Sequence, residues 1–404
     1  MKTPIALLNL WYQPARSLVS AAGVSFALLL VFVQLGFLGA VSHTATNSLG
    51  AMRFDLLIRS VNYAHLFEPD RVDRQSLKIA RNTPGVEQVF PLWMTLQNWQ
   101  RVIPDLPEGQ STAIRPIAVM GVDPQQHPFL PPDIQSGIAA GHLNHSSLLL
   151  IDARTQAEYG PNDGRMFASG DIGTEAEIAG SRFRISGIYQ LGTGLAANGS
   201  VIISDRGFAR ISPWNPEENI SLGLVQLSAG ESASSVQRRL QKRFQLSTAS
   251  TAQAPIEAVT VLTRQQALTA EQYRWLWQTP IGLIFQMGVG ISLVVGAAIV
   301  YMVLATDVTE KLPEYATLLA VGYSRAYLAR IVMGQAFLLA CLGFAAAWML
   351  AEIVYLITSS LSGIQLTMEP SRILVVFSLG LTMCCISGLL ALRQLWKAEP
   401  ANLF

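Results

Sequence analysis

At 404 residues the chain is 50% hydrophobic and only 14% charged, where an average soluble domain is about 25% charged. Four runs free of Lys, Arg, Asp and Glu account for the deficit, 17–52, 275–306, 331–351 and 373–392. Each reaches the ~20 residues that cross a bilayer, which excludes an ordinary soluble globule. A formal net charge of +1, with bases spread among acids and no aromatic-interleaved basic stripe, gives no basis for nucleic-acid binding.

Taken in order, residues 1–17 form a cytoplasmic interfacial segment, with Trp11 and Tyr12 suited to the membrane–water boundary and Pro14 bending the chain into the first span. That span, 18–42, belongs to an uncharged run far longer than the ~7–15 apolar residues of a secretory signal, so it reads as a retained helix. Gly23, Gly36 and Gly39 allow close helix approach, and Gln34 supplies an amide that can bond across a helix pair. Contact within one bundle and contact between subunits fit these residues equally well. The helix is expected to project to about Leu49.

Residues 43–277 form a large extracytoplasmic domain with helical stalk ends. It contains none of the three cysteines (Cys341, Cys384 and Cys385 all lie in apolar runs), so it folds without disulfides. A strand at Phe54–Arg59, a helix at Asp70–Asn82 capped by Asp70, and a strand at Val86–Trp93 form one β-α-β unit. In that helix Val72, Ser76, Ile79 and Ala80 share a face. Residues 104–132 hold seven prolines around a strand at Ile114–Val122 and mark a subdomain boundary. The section 146–206 is β-rich, with strands at Leu148–Ile151, Glu177–Ile178, Phe183–Tyr189 and Val201–Ser204. A second β-α-β unit follows: Ile220–Leu227, a helix through Val236, Leu240 and Phe244, then Ala258–Leu262. Two such units flanking a β-rich insert predict a split domain, with helix running unbroken from Arg264 into the second span.

That span, 278–306, carries Gly282, Gly288, Gly290 and Gly296. A charged island at 307–327 leads to the third span, 328–357, a short outer loop at 358–371, the fourth span at 372–392 and a polar tail at 393–404. The fold class is therefore an α-helical membrane protein of four spans, one plus three, with an α+β domain inserted between the first and second. Lys2, Arg16, Lys311, Arg325, Arg330, Arg393 and Lys397 fall on one side of this topology. The positive-inside rule makes that side, with both termini and the island, cytoplasmic.

Within the island, Pro313 suits a first helical turn and Glu314 the positive helix end. Leu312, Tyr315, Leu318 and Leu319 recur at helical spacing, Gly322 offers a stop, and Ser324 caps the next helix. A short helix with an apolar stripe, joined to a span on each side, is a shape suited to receiving a push from a partner.

Signals for chemistry are weak. There is no phosphate-cradling G-x-x-x-x-G-K-[ST] loop. His142-x-x-His145 lacks a third metal ligand, Gly192-Thr-Gly194 lacks a following helix, and the Asn-x-Ser matches at 144, 198 and 219 occur readily by chance. Glu352, near the outer end of the third span, reads as hydrated rather than as a relay group. No catalytic constellation is present, and no metal or cofactor site is expected on this chain.

The island E-K-L-P-E-Y-A-T-L-L-A-V-G-Y-S resembles the coupling segment of MacB/FtsX-type ABC permeases. L-W-Y-Q-P-A-R-S-L-V-S-A-A-G-V near the start, P-G-V-E-Q-V-F-P, G-V-D-P at 121–124 and A-L-R-Q-L-W-K-A-E-P-A near the end match habits of the same family. D-V-T-E-K-L-P-E-Y-A-T-L, I-D-A-R-T-Q-A-E-Y-G and Q-L-G-T-G…N-G-S-V-I-I-S-D most resemble its DevC branch, the permeases of heterocyst glycolipid-type exporters. The resemblance implies a non-catalytic permease subunit of a type VII, MacB-like exporter in a bacterial inner membrane, acting as a homodimer. Its partners would be a separate cytoplasmic DevA/MacB-like ABC ATPase, which holds ATP and Mg, a DevB-like periplasmic membrane-fusion adaptor and a TolC-like outer-membrane channel. The cargo would be a lipid, a glycolipid or another hydrophobic compound. Leu312, Glu314, Tyr315, Leu318, Gly322 and Tyr323 would carry the ATPase contact, and Gly36, Gly39, Gly288 and Gly296 the helix packing or dimer contacts. An FtsX-like subunit that controls an envelope hydrolase and a lipoprotein-releasing permease are the alternatives within the family. A membrane-anchored receptor is the alternative outside it.

Overall fold

The computed structural model describes residues 14–102, 113–160, 164–250, 258–362 and 366–397. The expected interfacial residues Trp11 and Tyr12, the start of the proline-rich stretch and the end of the polar tail lie outside the described residues. The chain divides into two compact units, one made of residues 42–275 and the other of the segments on either side of it.

The α+β unit begins with the end of a long helix, α1 (Pro14–Ala51). It continues through β1 (Leu56–Ser60), β2 (Val72–Asp73), α2 (Gln75–Arg81), β3 (Val86–Arg101), β4 (Arg115–Val122), α3 (Pro132–Ala139) and β5 (Leu148–Asp152). Then come β6 (Glu175–Ile178), β7 (Ser181–Tyr189), β8 (Ser200–Ser204), α4 (Asp205–Ala209), β9 (Asn219–Ile220) and β10 (Leu222–Leu227). The last elements are α5 (Ala233–Ser250), β11 (Val259–Thr263) and α6 (Arg264–Tyr273).

The two expected β-α-β segments do not stand side by side; they interleave. Strand order is β11-β1-β10-β3, with each neighbouring pair antiparallel, so each segment places a strand between the two strands of the other. This is a split β-α-β arrangement. The insert closes on itself: β3, β4, β8, β5, β7 and β6 pair in turn, and β6 returns to the end of β3 through Trp99↔Ile178. A two-residue turn with left-handed Ala179 and Gly180 (φ 48° and 76°) joins β6 to β7, as a tight hairpin requires.

β3 is longer than the expected Val86–Trp93. Its first half pairs with β10 and its second half, from Trp93, with β4. Its side chains alternate between two cores. Val89, Trp93 and Trp99 enter one core with α2, α5 and the barrel interior; Phe90, Leu92 and Met94 enter the other, with Leu49 of α1, Met52 just beyond it, α3 and α6. Trp93 and Trp99 are fully buried, and each indole N–H reaches a carbonyl, that of Asn219 (2.9 Å) and that of Tyr159 (3.0 Å). Burial of each such ring contributes about 1.5–3 kcal/mol.

The helix expected from Asp70 starts only at Gln75. Asp70 adopts a left-handed backbone (φ 62°), and Val72–Asp73 pairs with Asn219–Ile220. A tertiary strand partner thus takes the residues that helical periodicity assigned to a first turn. The buried face of α2 is Ser76, Leu77 and Ala80.

Among the described residues β11 has a strand neighbour on one side only, and α5 covers its other edge. Gln241 accepts from Val261 N (2.9 Å) and donates to Val259 O (3.1 Å), while Gln237 donates to Val261 O (2.8 Å). Two glutamine amides thereby take up three backbone groups of an otherwise open edge.

The helical unit contains most of α1, then α7 (Pro280–Glu310), α8 (Leu312–Ala320), α9 (Arg325–Ser362) and α10 (Pro370–Lys397). Among the described residues four helices are long and apolar enough to cross a membrane: α1, α7, α9 and α10. The unbroken helix expected from Arg264 into the second span is interrupted by a π-helical segment at Arg274–Gln278 and restarts at Pro280. A proline disfavours helical backbone in the residue before it, so Thr279 leaves the helix and its hydroxyl accepts from Gly282 N (3.4 Å).

Replacing Gln241 by Leu leaves Val261 N–H without a partner on a half-buried edge. The expected outcome is a loss of about 1–3 kcal/mol, read as a lower unfolding midpoint of the α+β unit by hydrogen exchange at β11. Unchanged exchange at Val261 would show that the amides do not hold this edge.

Candidate functional site

The 307–330 island folds as two helix ends joined by a capped turn. Helix α8 carries a proline in its first turn beside Glu314, and closes with Gly322 in the left-handed region (φ 102°). Tyr323 N donates to Leu318 O and Gly322 N to Leu319 O, both at 3.0 Å. This paired geometry ends a helix sharply and favours glycine at that position. Ser324 opens α9 at once, its hydroxyl accepting from Tyr327 N at 3.3 Å. The Tyr323 and Tyr327 rings stack at 4.9 Å across the turn.

The expected contact residues therefore divide. Glu314, Gly322 and Tyr323 are exposed, together with Pro313, Thr317 and Val321. Tyr315 turns the other way: it is 2% exposed and sits in the helical core with Leu304, Val308 and Leu328. Leu318 is half-buried against the same core. An apolar stripe at helical spacing is what fastens α8 to the bundle, so the Tyr315 side chain anchors the helix, and the surface it leaves free is the polar and proline-bearing one. The Leu312 side chain lies outside the described residues.

The four expected packing glycines each meet another helix of the same unit. Gly36 faces Tyr355, whose hydroxyl donates to Phe32 O, and a Cβ at Gly36 would collide with that hydroxyl. Gly39 faces the Arg372 guanidinium in the same way. At Gly288 a Cβ would come within 2.5 Å of Gln34 Oε1, and at Gly296 within 3.0 Å of Ala27 and of Met383 Sδ. Arg372 is 8% exposed, bonds Thr367 O at 2.5 Å and lies 5.8 Å from the Tyr355 ring. The burial of Arg372 against a glycine has no signal in the sequence beyond Gly39 itself.

Within the α+β unit, the residues adjoining the spans are held by a polar hub that sequence reading missed. Glu271 of α6 is 2% exposed and accepts from Tyr63 Oη (2.8 Å), Leu66 N (3.2 Å) and Trp275 Nε1 (3.1 Å). Burial, then the negative charge of Glu271, pushes the Tyr63 phenol well above its ordinary range, so Tyr63 stays a donor at physiological pH. The Arg59 guanidinium lies 4.5 Å from the Tyr63 ring. Arg264, at the start of α6, donates to Gly50 O (2.5 Å), and Asn47 donates to Leu191 O (3.4 Å), so the end of α1 is tied to the same base. A lone Glu in an amphipathic helix carries no sign of such burial, because two of its three donors, Tyr63 and Leu66, come from a loop some 200 residues away in sequence (|i−j| = 208 and 205).

His145 Nδ1 lies 2.9 Å from Ser147 Oγ, and His142 packs against Gly187. Among the described residues no group of three potential metal ligands occurs. Gly192 and Gly194 lie in an irregular loop pinned by Asp152, whose carboxyl accepts from Leu191 N (2.9 Å) and Gly192 N (2.6 Å).

The model of the MacB-like periplasmic core domain matches residues 17–243, and the model of the FtsX-like permease C-terminal domain matches 287–400. The chain belongs to the MacB/FtsX-type ABC permease family. Members of this family are permease subunits that work with ABC ATPases. The chain is similar to the periplasmic region of MacB from Actinobacillus actinomycetemcomitans, at 9% identity over 55% of this chain and 94% of that one, with a TM-score of 0.35. It is also similar to the extracellular domain of the noncanonic ABC-type transporter YknZ from Gram-positive bacteria, at 12% identity over 52% and 98%, with a TM-score of 0.31. No curated protein matches the sequence. The two family models meet the two units in turn: the periplasmic core model spans most of the α+β unit, and the permease model spans α7 to α10.

Two substitutions test this geometry. Gly322→Val places a β-branched residue at φ 102° and should lower the thermal midpoint by a loss of about 1–2 kcal/mol; an unchanged midpoint would show that the turn does not need glycine. Glu271→Leu strands the Tyr63, Leu66 and Trp275 donors. It should cost about 2–5 kcal/mol, measured by hydrogen exchange at Leu66.

Proposed function

We propose that the protein is the permease subunit of a MacB-like exporter, and that α8 is where it receives the ATPase stroke. The observation that carries this reading is the division of α8: Tyr315 buried as an anchor, with Pro313, Glu314, Thr317 and Val321 left free on a helix wedged between two spans. A lever of this kind needs a fixed inner face and a free outer one. The capped turn at Gly322–Ser324 makes the junction to α9 stiff, so displacement of α8 is passed on rather than absorbed.

In this reading the chain does no chemistry. A separate ATPase binds ATP and Mg on the cytoplasmic side of a bacterial inner membrane, two copies of the permease present two α8 helices to it, and both termini lie on that side. ATP binding draws the α8 helices together. α1 and the α6–α7 connection carry the motion outward, where the Glu271 hub and the Arg264–Gly50 contact hold their ends in the α+β unit. Cargo is handled by that unit with a membrane-fusion adaptor and a TolC-like channel, and the DevC-like motifs favour a glycolipid or another hydrophobic compound.

An FtsX-like role is the second reading. The match of the FtsX-like permease model to 287–400 supports it as much as the first, since the same stroke can activate an envelope hydrolase. Recovery of the full complex from its native membrane discriminates the two: an ATPase with an adaptor supports export, an ATPase with a hydrolase supports signalling.

Glu314→Arg tests the shared step. Glu314 is exposed, so the variant should fold and insert normally while permease-dependent stimulation of the partner ATPase falls at least about tenfold, the equivalent of ~1.4 kcal/mol of coupling. Unchanged stimulation together with unchanged transport would remove α8 as the coupling element.

A further inference from the structure

The α+β unit contains a second feature that the coupling reading does not use. A cleft of about 880 Å³ opens between α2 and the turns that carry Asp123, Asp205 and 217–219. Its size is within the range of small-molecule sites. The wall formed by α2 and its N-cap carries Arg74, Lys78 and Arg81 along one stripe, while Asp73 beside them accepts from Gln75 N (2.7 Å). The opposite wall is acidic, with Asp205, Glu217 and Glu218. The floor between them includes Leu77 and Pro91, both buried.

Opposite charges facing one another across a protein surface usually pair. Here they do not. Lys78, Arg81 and Glu217 have no side-chain partner among the described residues. Arg74 is spent on the Trp93 ring at 5.8 Å, Glu218 takes a hydrogen bond from Asn215 (3.1 Å), and Asp205 accepts only its neighbour's backbone N–H (2.8 Å). The walls are joined at their base by backbone bonds, β2 to β9 and Arg74 N to Glu218 O (2.8 Å). The walls are therefore kept open by backbone contacts while their charges face the space between.

We propose that this cleft binds a zwitterionic ligand, one that carries an ammonium group and an anionic group on a short apolar linker. A simple anion is attracted by Lys78 and Arg81 but repelled by Glu217 and Glu218, and a simple cation meets the reverse. A ligand with both charges satisfies both walls at once and lays its linker on Leu77 and Pro91. Two sources share this chemistry: an amine-bearing phosphate headgroup and a short peptide or amino acid.

The test is calorimetric titration of the full-length chain in an uncharged maltoside micelle at low salt. The probes are phosphoethanolamine, glycylglycine, inorganic phosphate and ethanolamine. The expected result is that one of the two zwitterions binds at least about tenfold more tightly than phosphate or ethanolamine alone. Lys78→Gln with Arg81→Gln, and separately Glu217→Gln, should each weaken it about threefold to tenfold, and raising the salt should weaken it further. All three residues are exposed, so the variants keep the fold. Preference for phosphoethanolamine assigns the cleft to a headgroup, and preference for glycylglycine assigns it to a peptide. The proposal is overturned if neither zwitterion binds, if phosphate alone binds as tightly, or if the variants leave the affinity unchanged.

Discussion

The α+β unit depends on β3 being one continuous strand. Sixteen extended residues span about 50 Å at ~3.3 Å per residue, long enough to serve two sheets in succession. At Leu92–Trp93 the pairing passes from β10 to β4 without a break in the alternation of side chains. One parity of β3 therefore fills the core under α2 and α5 and continues into the barrel, and the other fills the core under α1, α3 and α6. Shifting the strand by one residue would exchange the two cores entirely. Pro91 fits this frame because it lies opposite Gly223, at a rung where its missing N–H leaves no partner unsatisfied.

The helical unit uses a different device, in which polar groups are brought into an apolar bundle against glycine. Tyr355, Arg372 and Gln34 each lie where a neighbouring helix has no side chain. Without water to satisfy them, such groups need internal partners, and the Phe32 and Thr367 carbonyls accept from Tyr355 and Arg372. Close glycine contacts and polar bonds thus share positions, and they fix the helices along their length as well as around their axes. Against that fixed frame α8 is a short helix tethered by Tyr315 and exposed at Pro313, Glu314 and Thr317.

Much of this architecture was legible in the sequence because its signals are local. The four apolar runs, the one-plus-three order, the Gly322 stop and the Ser324 cap each follow from composition or from a single turn's stereochemistry. Apart from the break that Pro280 imposes at Thr279, the elements that differ did so through distant partners. Asp70–Asp73 left the helical reading because Asn219–Ile220 pairs with it, and the two β-α-β segments interleave because β10 takes the place beside β1. The candidate site shows the same limit. Periodicity located the stripe on α8 but not which side of it faces the bundle; Tyr315, which the family resemblance offered as a contact residue, is buried in the helical core. The Glu271 hub and the charged cleft draw on segments far apart in the chain: Tyr63 and Leu66 reach Glu271 from the other end of the unit, and the cleft joins α2 to Asp205 and 217–219.

The glutamine-covered edge of β11 bears on how crowded copies of this chain behave. An open strand edge is a template that any extended chain can extend, including its own twin. Gln237 and Gln241 already occupy the donor and acceptor positions that a foreign strand would need at Val259 and Val261. Where copies share one membrane plane, a strand approaching this edge would have to displace both amides from Val259 and Val261 before it could pair there, a barrier to sheet-to-sheet polymerisation.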